Sequence, residues 1–329
     1  MLSNKLHKGV FAAIVGIFAL ICVCGCNENS RPESDLFPRN VSDGDEEIFN
    51  GICFLDAGCG DCALVMTEGI CFLIDCGNKS KHEKDNLFRV LESSRCEKID
   101  YFVLSHPDEE HIGNAEEILS RYKCKNLLVP FTDYEYSESF VKAVSCARKK
   151  GVEVKEFNYL TAIKTENLTM FFLYPEHKYS EEFNKISLSE IPTEKMLDEI
   201  SPIIYLDIEG IRILLNSDAS TEQEKKVCCN FKSGLYDMFF GKGAVDLYDV
   251  DILKASGHGK GNATSEEFLQ IVNPDKVVVS CGGINIPNTE TLKRIYKRNG
   301  KADVFRTDLN GNVTVKINNG KYSISASMQ

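Results

Sequence analysis

The feature that most constrains the fold is a group of polar residues placed directly after a short apolar run. Residues 99–104 have the length and composition of a buried strand, and the next ten residues read SHPDEEHIGN. Within them lie four side chains that can bind a divalent cation: His106, Asp108, Glu110 and His111. In α/β folds the chemistry sits at strand ends, where an exposed loop rests on a rigid sheet. Imidazole and carboxylate donors together suit zinc or manganese, so the segment predicts a hydrolytic metal site.

Two further side chains that can bind a metal also follow apolar runs. Asp218 comes shortly after Leu214 and Leu215, and His258 comes shortly after the run 250–254. Ligands that come from the ends of different strands fit a site built on a rigid sheet. Glycines on both sides of His258 allow the backbone to approach a ligand closely. His106 and His111 could instead be surface or capping residues, and His258 alone is a weak signal, but the shared context favours metal binding.

The order of apolar segments predicts an α/β chain in which two groups of strands are each followed by helices. We expect two sheets flanked by helices in one domain, an αββα sandwich, because each apolar sheet face must be covered. The predicted strands are at 51–56, 63–66, 70–75, 99–104, 127–129, 152–157, 168–173, 203–208, 211–215, 250–254, 276–280, 302–305 and 312–325. The predicted helices are at 84–95, 115–122, 138–150, 264–272 and 289–299.

The first 26 residues are predicted to be a lipoprotein signal peptide and not part of the folded domain. Lys5 and Lys8 precede an uncharged stretch at 10–24, and residues 23–26 read Val-Cys-Gly-Cys. In this interpretation Cys26 is lipidated and becomes the new N-terminus. The alternative is an uncut transmembrane anchor, because the apolar run approaches the length that spans a bilayer. Both interpretations predict an extracytoplasmic domain anchored to a bacterial cell membrane.

Residues 27–47 are polar, acidic and contain Ser, Pro and Gly, which predicts a flexible linker before a domain at 48–325. The polar stretch 176–199 predicts a surface insertion or lid. Without the two lysines of residues 1–26, 36 basic and 49 acidic residues leave a net charge of −13. Such acidity argues against broad electrostatic contact with nucleic acid, but it does not exclude a local basic cleft. Nothing in the sequence implies an obligate protein partner.

Cysteine is frequent but does not form a regular framework. Of 14 cysteines, three lie in the predicted signal peptide, and the other 11 are scattered over the chain. Cys59 and Cys62 have C-x-x-C spacing, but no second C-x-x-C accompanies them, so a zinc ribbon is not expected. A labile disulfide or ordinary loop residues fit better.

Six segments, in this order along the chain, resemble the metallo-β-lactamase-fold hydrolases, in particular the competence-type, ComEC-like subgroup. The resemblance covers about residues 48–320, nearly the whole of the predicted domain. The segments are FLDAGCGD (54–61), FLIDCG (72–77), IDYFVLSHPDEEHIGN (99–114), SPIIYLDIEGIRILLNSDAS (201–220), DILKASGHGKGNATSEEFL (251–269) and FRTDLNGNVTV (305–315).

The resemblance implies a site that holds one or two divalent ions, zinc or manganese. Asp218 matches the carboxylate that bridges two metals in the family, and Glu110 and Asp108 are implied as catalytic groups that orient water or bind the second ion. Two such ions activate a water and offset charge on a phosphoryl or carbonyl oxygen. Asp56 and Asp61 match aspartates near the site, although either could simply cap a turn. The implied ligands are His106, Asp108, Glu110, His111, Asp218 and His258.

The chain departs from the family pattern at three positions. Glu110 stands where Asp is usual, Gly257 stands where the first of two histidines is expected, and Ile286-Pro287 replaces a His-Pro pair. The remaining donors can hold one ion well and a second only with help from water. A weakened second site is therefore one expectation.

Three functions follow from these observations. The first is a membrane-tethered, extracytoplasmic metal-dependent hydrolase acting on phosphodiesters, with DNA or a nucleotide as substrate. The second is a non-catalytic binding lipoprotein whose metal site has degenerated. The third is another hydrolysis, such as ester, lactone or β-lactam opening. Lys254, Lys260, Lys293 and Arg294 could contact a substrate phosphate, although solvated surface charges are commoner.

Overall fold

The computed structural model describes residues 49–132, 137–158, 161–176, 197–284, 286–300 and 303–328. In these ranges the chain forms two mixed β-sheets that face each other, with helices on their outer surfaces. The predicted αββα fold class is therefore confirmed. The predicted signal peptide, the lipidation site Cys26 and the linker 27–47 lie outside the described residues, so the predicted domain boundaries stay predictions.

The first sheet has eight strands in the described ranges, in the order β15-β14-β1-β2-β3-β4-β5-β6 from one edge to the other. The strands β3 to β6 run parallel to one another, and the other neighbours are antiparallel. Their bounds are β1 (Gly51–Phe54), β2 (Ala63–Thr67), β3 (Ile70–Ile74), β4 (Lys98–Val103), β5 (Lys123–Val129), β6 (Glu153–Glu156), β14 (Val313–Asn318) and β15 (Lys321–Ala326).

The second sheet has seven described strands in the order β13-β12-β11-β10-β9-β8-β7. Neighbouring strands from β10 to β13 are parallel, and neighbouring strands from β7 to β10 are antiparallel. Their bounds are β7 (Ala162–Lys164), β8 (Leu168–Tyr174), β9 (Ile203–Ile208), β10 (Ile211–Asn216), β11 (Ile252–Lys254), β12 (Lys276–Val279) and β13 (Val304–Arg306).

The described helices connect the strands, and four of them begin at a serine whose side chain accepts a backbone N–H, the usual N-cap. These caps are Ser80, Ser137, Ser220 and Ser265. The helices are α1 (Lys81–Ser93), α2 (Glu109–Ile112), α3 (Ala115–Arg121), α4 (Glu138–Lys149), α5 (Thr221–Lys232), α6 (Leu235–Phe240), α7 (Glu266–Val272), α8 (Thr289–Asn299) and α9 (Thr307–Asn310), with a short 3-10 turn at Ser256–Gly259.

The core sits in three layers because successive side chains of a strand point to opposite faces. In β3, Phe72 and Ile74 point into the space between the sheets, and Cys71 and Leu73 point outward under the helices. In the second sheet, Leu206 of β9 likewise points into the space between the sheets. Strands buried on both faces read as continuous apolar runs, which is why the sequence marks them clearly.

The sequence misses some elements and misplaces some ends. The short strand β7 and the helices α5 and α6 were not predicted. The C-terminal stretch 312–325 is two antiparallel strands, because Asn319 and Gly320 turn the chain with positive φ angles of 52° and 69°. Most of the predicted insertion at 176–199 lies outside the described residues. Among the described helices, none is long and apolar enough to cross a membrane.

Candidate metal centre

The predicted site lies at the edge where parallel strands of both sheets end. Asp75 follows β3 and Ser105 follows β4, which are neighbours in the first sheet. Asp218 follows β10 and His258 follows β11, which are neighbours in the second sheet. The Oγ atoms of Ser105 and Ser217 are 2.7 Å apart and link the two edges directly. The expectation that ligands gather from several strand ends is met by this geometry.

Four buried side chains form a cluster that can hold a metal ion. Asp61, His111, Asp218 and His258 each offer one ligand atom, and these atoms lie within 4.8 Å of one another. The Oδ1 of Asp218 is 2.9 Å from Nε2 of His258 and 3.5 Å from Nε2 of His111. Donor atoms around a tetrahedral zinc ion are separated by about 3.4 Å, given metal–ligand bonds of about 2.1 Å. The cluster is therefore close to the size that such an ion requires.

The histidine rings of the cluster are oriented by partners on their far side. Nδ1 of His111 lies 3.0 Å from Oδ2 of Asp75, and Nδ1 of His258 lies 3.0 Å from the carbonyl oxygen of Ser280. When Nδ1–H donates to such an oxygen, the lone pair of the ring is on Nε2. Both rings thus present Nε2 to Asp218, as metal-binding histidines do.

Asp61 is held in the cluster by a buried lysine. Lys254 forms an ion pair with Oδ2 of Asp61 and also donates to the carbonyl oxygen of Asn216 at 2.9 Å. The loop before Asp61 lies so close to the predicted metal loop that a Cβ at Gly60 would overlap the carbonyl oxygen of Glu110. Glycine at position 60 therefore brings Asp61 into the site. Lys254 is only 4% exposed, and its suggested contact with a substrate stays a prediction.

The donor set fits a divalent cation. The Nε2 atoms of His111 and His258 and the Oδ1 atoms of Asp61 and Asp218 are buried and make no well-formed hydrogen bond to a described residue. Buried polar atoms are nearly always satisfied, so a cluster of such atoms facing one point indicates a missing partner. Two imidazoles and two carboxylates suit zinc or manganese.

The pKa values of the buried histidines His106 and His111 are shifted in opposite directions. Burial lowers the pKa of His111, but Asp218 and Asp75 outweigh burial and hold it well above its usual value. Burial raises the pKa of Asp218, but His258 and His111 outweigh it and hold this pKa well below the usual value. Burial lowers the pKa of His106 to about 3, so this ring is neutral. Because a ligand imidazole must be neutral, metal binding to the cluster displaces a proton.

His106 lies beside the four-residue cluster. Its ring centre is 5.2 Å from that of His111, and its Nε2 is 3.9 Å from Oδ1 of Asp198. Its Nδ1 accepts the backbone N–H of Asp108 at 3.3 Å, which leaves the ring proton on Nε2. To bind a metal through Nε2, His106 must give up this contact. Its assignment as a ligand stays a prediction.

Glu110 and Asp108 also lie outside the four-residue cluster, on its more exposed side. Oε1 of Glu110 is 4.0 Å from Nε2 of His111, and this side chain is 33% exposed. Oδ2 of Asp108 is 3.5 Å from Nδ1 of His106, and this side chain is 40% exposed. Both carboxylates are accessible to water or substrate, and their catalytic and ligand roles stay predictions.

The two aspartates of the FLDAGCGD segment have different positions. Oδ1 of Asp56 accepts the backbone N–H of Gly58 at 3.3 Å, so Asp56 caps a turn. Asp61, which was predicted only to lie near the site, is one of the four clustered residues. The nearby Cys59 and Cys62 are both free thiols, so the suggested C-x-x-C disulfide is not formed.

Sequence reasoning missed several residues of the site. Asp75 lies inside the FLIDCG segment, and its position directly after a strand was the signal that could have identified it. Lys254 and Lys260 were named only as possible phosphate contacts or surface charges. Asp198 was not named, and it lies 4.0 Å from Lys260 at the exposed side of the site. The predicted departure Ile286-Pro287 lies beside the His258 loop, where a Cβ at Gly259 would be 2.6 Å from Cβ of Pro287.

The comparison with known families agrees with this geometry. The model of the metallo-β-lactamase superfamily matches residues 56–151, a span that contains Asp61, Asp75 and the loop 105–114. Residues 56–151 thus match a metallo-β-lactamase domain. This match and the four-residue cluster agree with the predicted family, hydrolase class and use of a divalent metal.

Two curated relatives and one solved structure are similar to the metallo-β-lactamase domain. ComE operon protein 3 of Bacillus subtilis is 26% identical over 245 residues, 72% of this chain and 27% of that protein. Recombination protein 2 of Haemophilus influenzae is 24% identical over 268 residues, 80% of this chain and 28% of that protein. The chain thus spans about a quarter of either relative, and the first agrees with the competence-type resemblance. The metallo-β-lactamase fold protein YhfI from Bacillus subtilis aligns with a TM-score of 0.47 and 10% identity, covering 84% of this chain and 100% of that one.

Proposed function

We propose that this metallo-β-lactamase domain is a metal-dependent phosphodiesterase that acts on DNA or nucleotide substrates. The observation that carries the proposal is the buried cluster of Asp61, His111, Asp218 and His258, whose facing atoms lack hydrogen-bond partners among the described residues. The substrate class is supported by the competence-type resemblance and by a relative that is named a recombination protein.

The residues of the site have separate tasks in this proposal. A divalent cation bound in the cluster would lower the pKa of a water and offset negative charge on a phosphoryl oxygen. Asp75 and Ser280 hold the rings of His111 and His258 so that each Nε2 points inward. Glu110, which is partly exposed 4.0 Å from His111, is placed to accept a proton from water.

The proposal is tested by hydrolysis of bis-p-nitrophenyl phosphate and of single-stranded DNA with added Mn²⁺ or Zn²⁺. We expect His111→Ala and Asp218→Asn to lower both rates by more than about 100-fold, because even groups that only orient a metal ligand cost 10- to 100-fold. His82→Ala is the control, because His82 is an exposed histidine of α1. Equal rates in all four proteins would overturn the proposal and favour the non-catalytic binding lipoprotein.

We also propose that lipidated Cys26 tethers the domain to the outer face of the cell membrane. The proposal rests on the sequence of residues 1–26 and on the polar stretch that follows. Its test is incorporation of a labelled fatty acid in bacterial cells, followed by membrane fractionation. We expect label in the unchanged chain and in Cys24→Ser, and none in Cys26→Ser. Label that survives Cys26→Ser, or a chain found in the cytoplasm, would contradict the tether.

A further inference from the structure

The two carboxylate oxygens of Asp218 contact different groups. Oδ1 faces the cluster, 2.9 Å from Nε2 of His258 and 3.5 Å from Nε2 of His111. Oδ2 faces away from them and lies 3.1 Å from Nζ of Lys260. The carboxylate that the family resemblance implies as a bridge between two metals therefore lies here between the cluster and an ammonium group.

Lys260 lies among side chains that are near the site but do not belong to the four-residue cluster. Its Nζ is 4.0 Å from Oδ1 of Asp198, and the same oxygen is 3.9 Å from Nε2 of His106. Among the described side chains, the donors available to a second cation would be His106, Asp198, Oδ2 of Asp218 and the more exposed carboxylates of Asp108 and Glu110. The ammonium group of Lys260 lies 3.1 Å from Asp218 and 4.0 Å from Asp198, the two more buried carboxylates among them.

The stem of Lys260 lies against residue 257. A Cβ built on Gly257 would lie 3.6 Å from both Cβ and Cδ of Lys260, so the lysine stem runs across the glycine. A histidine at 257, which the family pattern leads one to expect, would have its ring in the space near this stem. Lys260 thus passes beside the position where the family pattern has a histidine.

The buried charges around the cluster also favour a single ion. Asp61, Asp75 and Asp218 are nearly fully buried carboxylates, and Lys254 and Lys260 each bring one positive charge close to them. Counted as ionised together with Asp198, which lies 4.0 Å from Lys260, these groups sum to −2, so one divalent cation balances them and two would leave +2. Buried charges that are not balanced are costly, which disfavours the second ion.

Building on the phosphodiesterase proposed above, we infer that the site binds one divalent cation and that Lys260 supplies its second positive charge. The cation is held by Asp61, His111, Asp218 and His258. The side chain of Lys260 is 23% exposed, so its ammonium group is accessible to a substrate phosphate while Asp218 holds it. Lysine acts on phosphate as a point charge, and a charged hydrogen bond of this kind changes affinity substantially.

The first measurement is the number of Mn²⁺ or Zn²⁺ ions bound by the purified chain, from titration calorimetry and elemental analysis. One ion per chain supports the inference. Two ions per chain overturn it and leave the proposed metal-dependent hydrolase standing. No bound ion overturns both. This readout needs no variant and no activity, so it stays valid if a substitution at Lys260 impairs folding.

The second measurement is the binding of inorganic phosphate to the Mn²⁺-loaded chain. We expect Lys260→Met to weaken phosphate binding by about 10-fold or more while one ion stays bound, and Lys260→Arg to retain most of the affinity. Lys297→Met is the matched control, because Lys297 is a 78% exposed lysine of α8. Phosphate affinity that is unchanged in Lys260→Met, or lowered equally in Lys297→Met, would overturn the role of Lys260.

Discussion

Nδ1 of His111 lies 3.0 Å from Oδ2 of Asp75, and both side chains are almost completely buried. This contact fixes the ring so that Nε2 faces Asp218, 3.5 Å away. Asp75 is itself held by the backbone N–H of Ser105, which donates to its Oδ1 at 2.7 Å. Hydrogen bonds from the end of β4 thus orient His111, a histidine of the candidate metal cluster that belongs to the next helix.

We expect Asp75→Asn to weaken binding of Mn²⁺ or Zn²⁺ by about 10- to 100-fold, because the partner that orients His111 is lost. The measurement is a competition titration against a chelating dye. Asp85→Asn, at an exposed position of α1, is the control and should bind metal like the unchanged chain. Equal affinities in the two variants would show that Asp75 does not support the site.

A second prediction concerns the buried pair of Lys254 and Asp61. In the presence of a chelator, we expect Lys254→Met to lower the free energy of unfolding by about 3–5 kcal/mol, because the carboxylate of Asp61 is left buried without its partner. Urea denaturation measures the change, and adding Asp61→Asn to Lys254→Met should recover much of it. Lys276→Met breaks a more exposed pair with Asp303 and should cost less than about 1 kcal/mol. Equal losses at the two lysines would contradict the prediction.

A third prediction follows from the contact between the loop before Asp61 and the loop of Glu110. We expect Gly60→Ala to destabilise the fold by about 1–3 kcal/mol, because its Cβ would overlap the carbonyl oxygen of Glu110. Metal affinity should fall as well, because Asp61 is displaced. Gly261→Ala is the control, since its Cβ would meet no atom closer than 3.6 Å. Thermal unfolding with and without metal would reveal both effects, and a Gly60→Ala protein with unchanged stability would disprove the close approach.

A fourth prediction concerns two thiols that the sequence did not link. The Sγ atoms of Cys71 and Cys96 are 2.6 Å apart, and both residues are buried. We expect thiol–disulfide exchange with oxidised glutathione to join them, with loss of two hydrogens from the chain and reduction of the glutathione. The measurement is mass spectrometry of peptides digested without reductant. Alkylation of both thiols in the unfolded, oxidant-treated protein would contradict the prediction.

The fold could be predicted from the sequence because its strands are buried on both faces. Continuous apolar runs such as residues 70–74 and 203–208 mark the strands of both sheets. The helix α5 was missed because its apolar positions are few and interrupted by charged residues, and α6 was missed because its six residues are too few to show a helical period. The C-terminal hairpin was read as one strand because Asn319 and Gly320 are a short signal inside a regular pattern.

The site could be predicted only in part, because spacing in sequence does not show which way a side chain points. The pattern identified His111, Asp218 and His258, which the structure brings together with Asp61. The pattern did not show that His106 lies outside this cluster, with its ring turned toward the backbone of Asp108. The ion pair of Asp61 with Lys254 joins residues 193 positions apart and leaves no local pattern in the sequence.

The most direct test of the account is an anomalous-scattering map from a crystal of the Mn²⁺-soaked protein. We predict a single peak within about 2.0–2.2 Å of Nε2 of His111, Nε2 of His258 and an oxygen of both Asp61 and Asp218. A peak that is absent from this cluster, or one held by other residues while these four stay unbound, would contradict it.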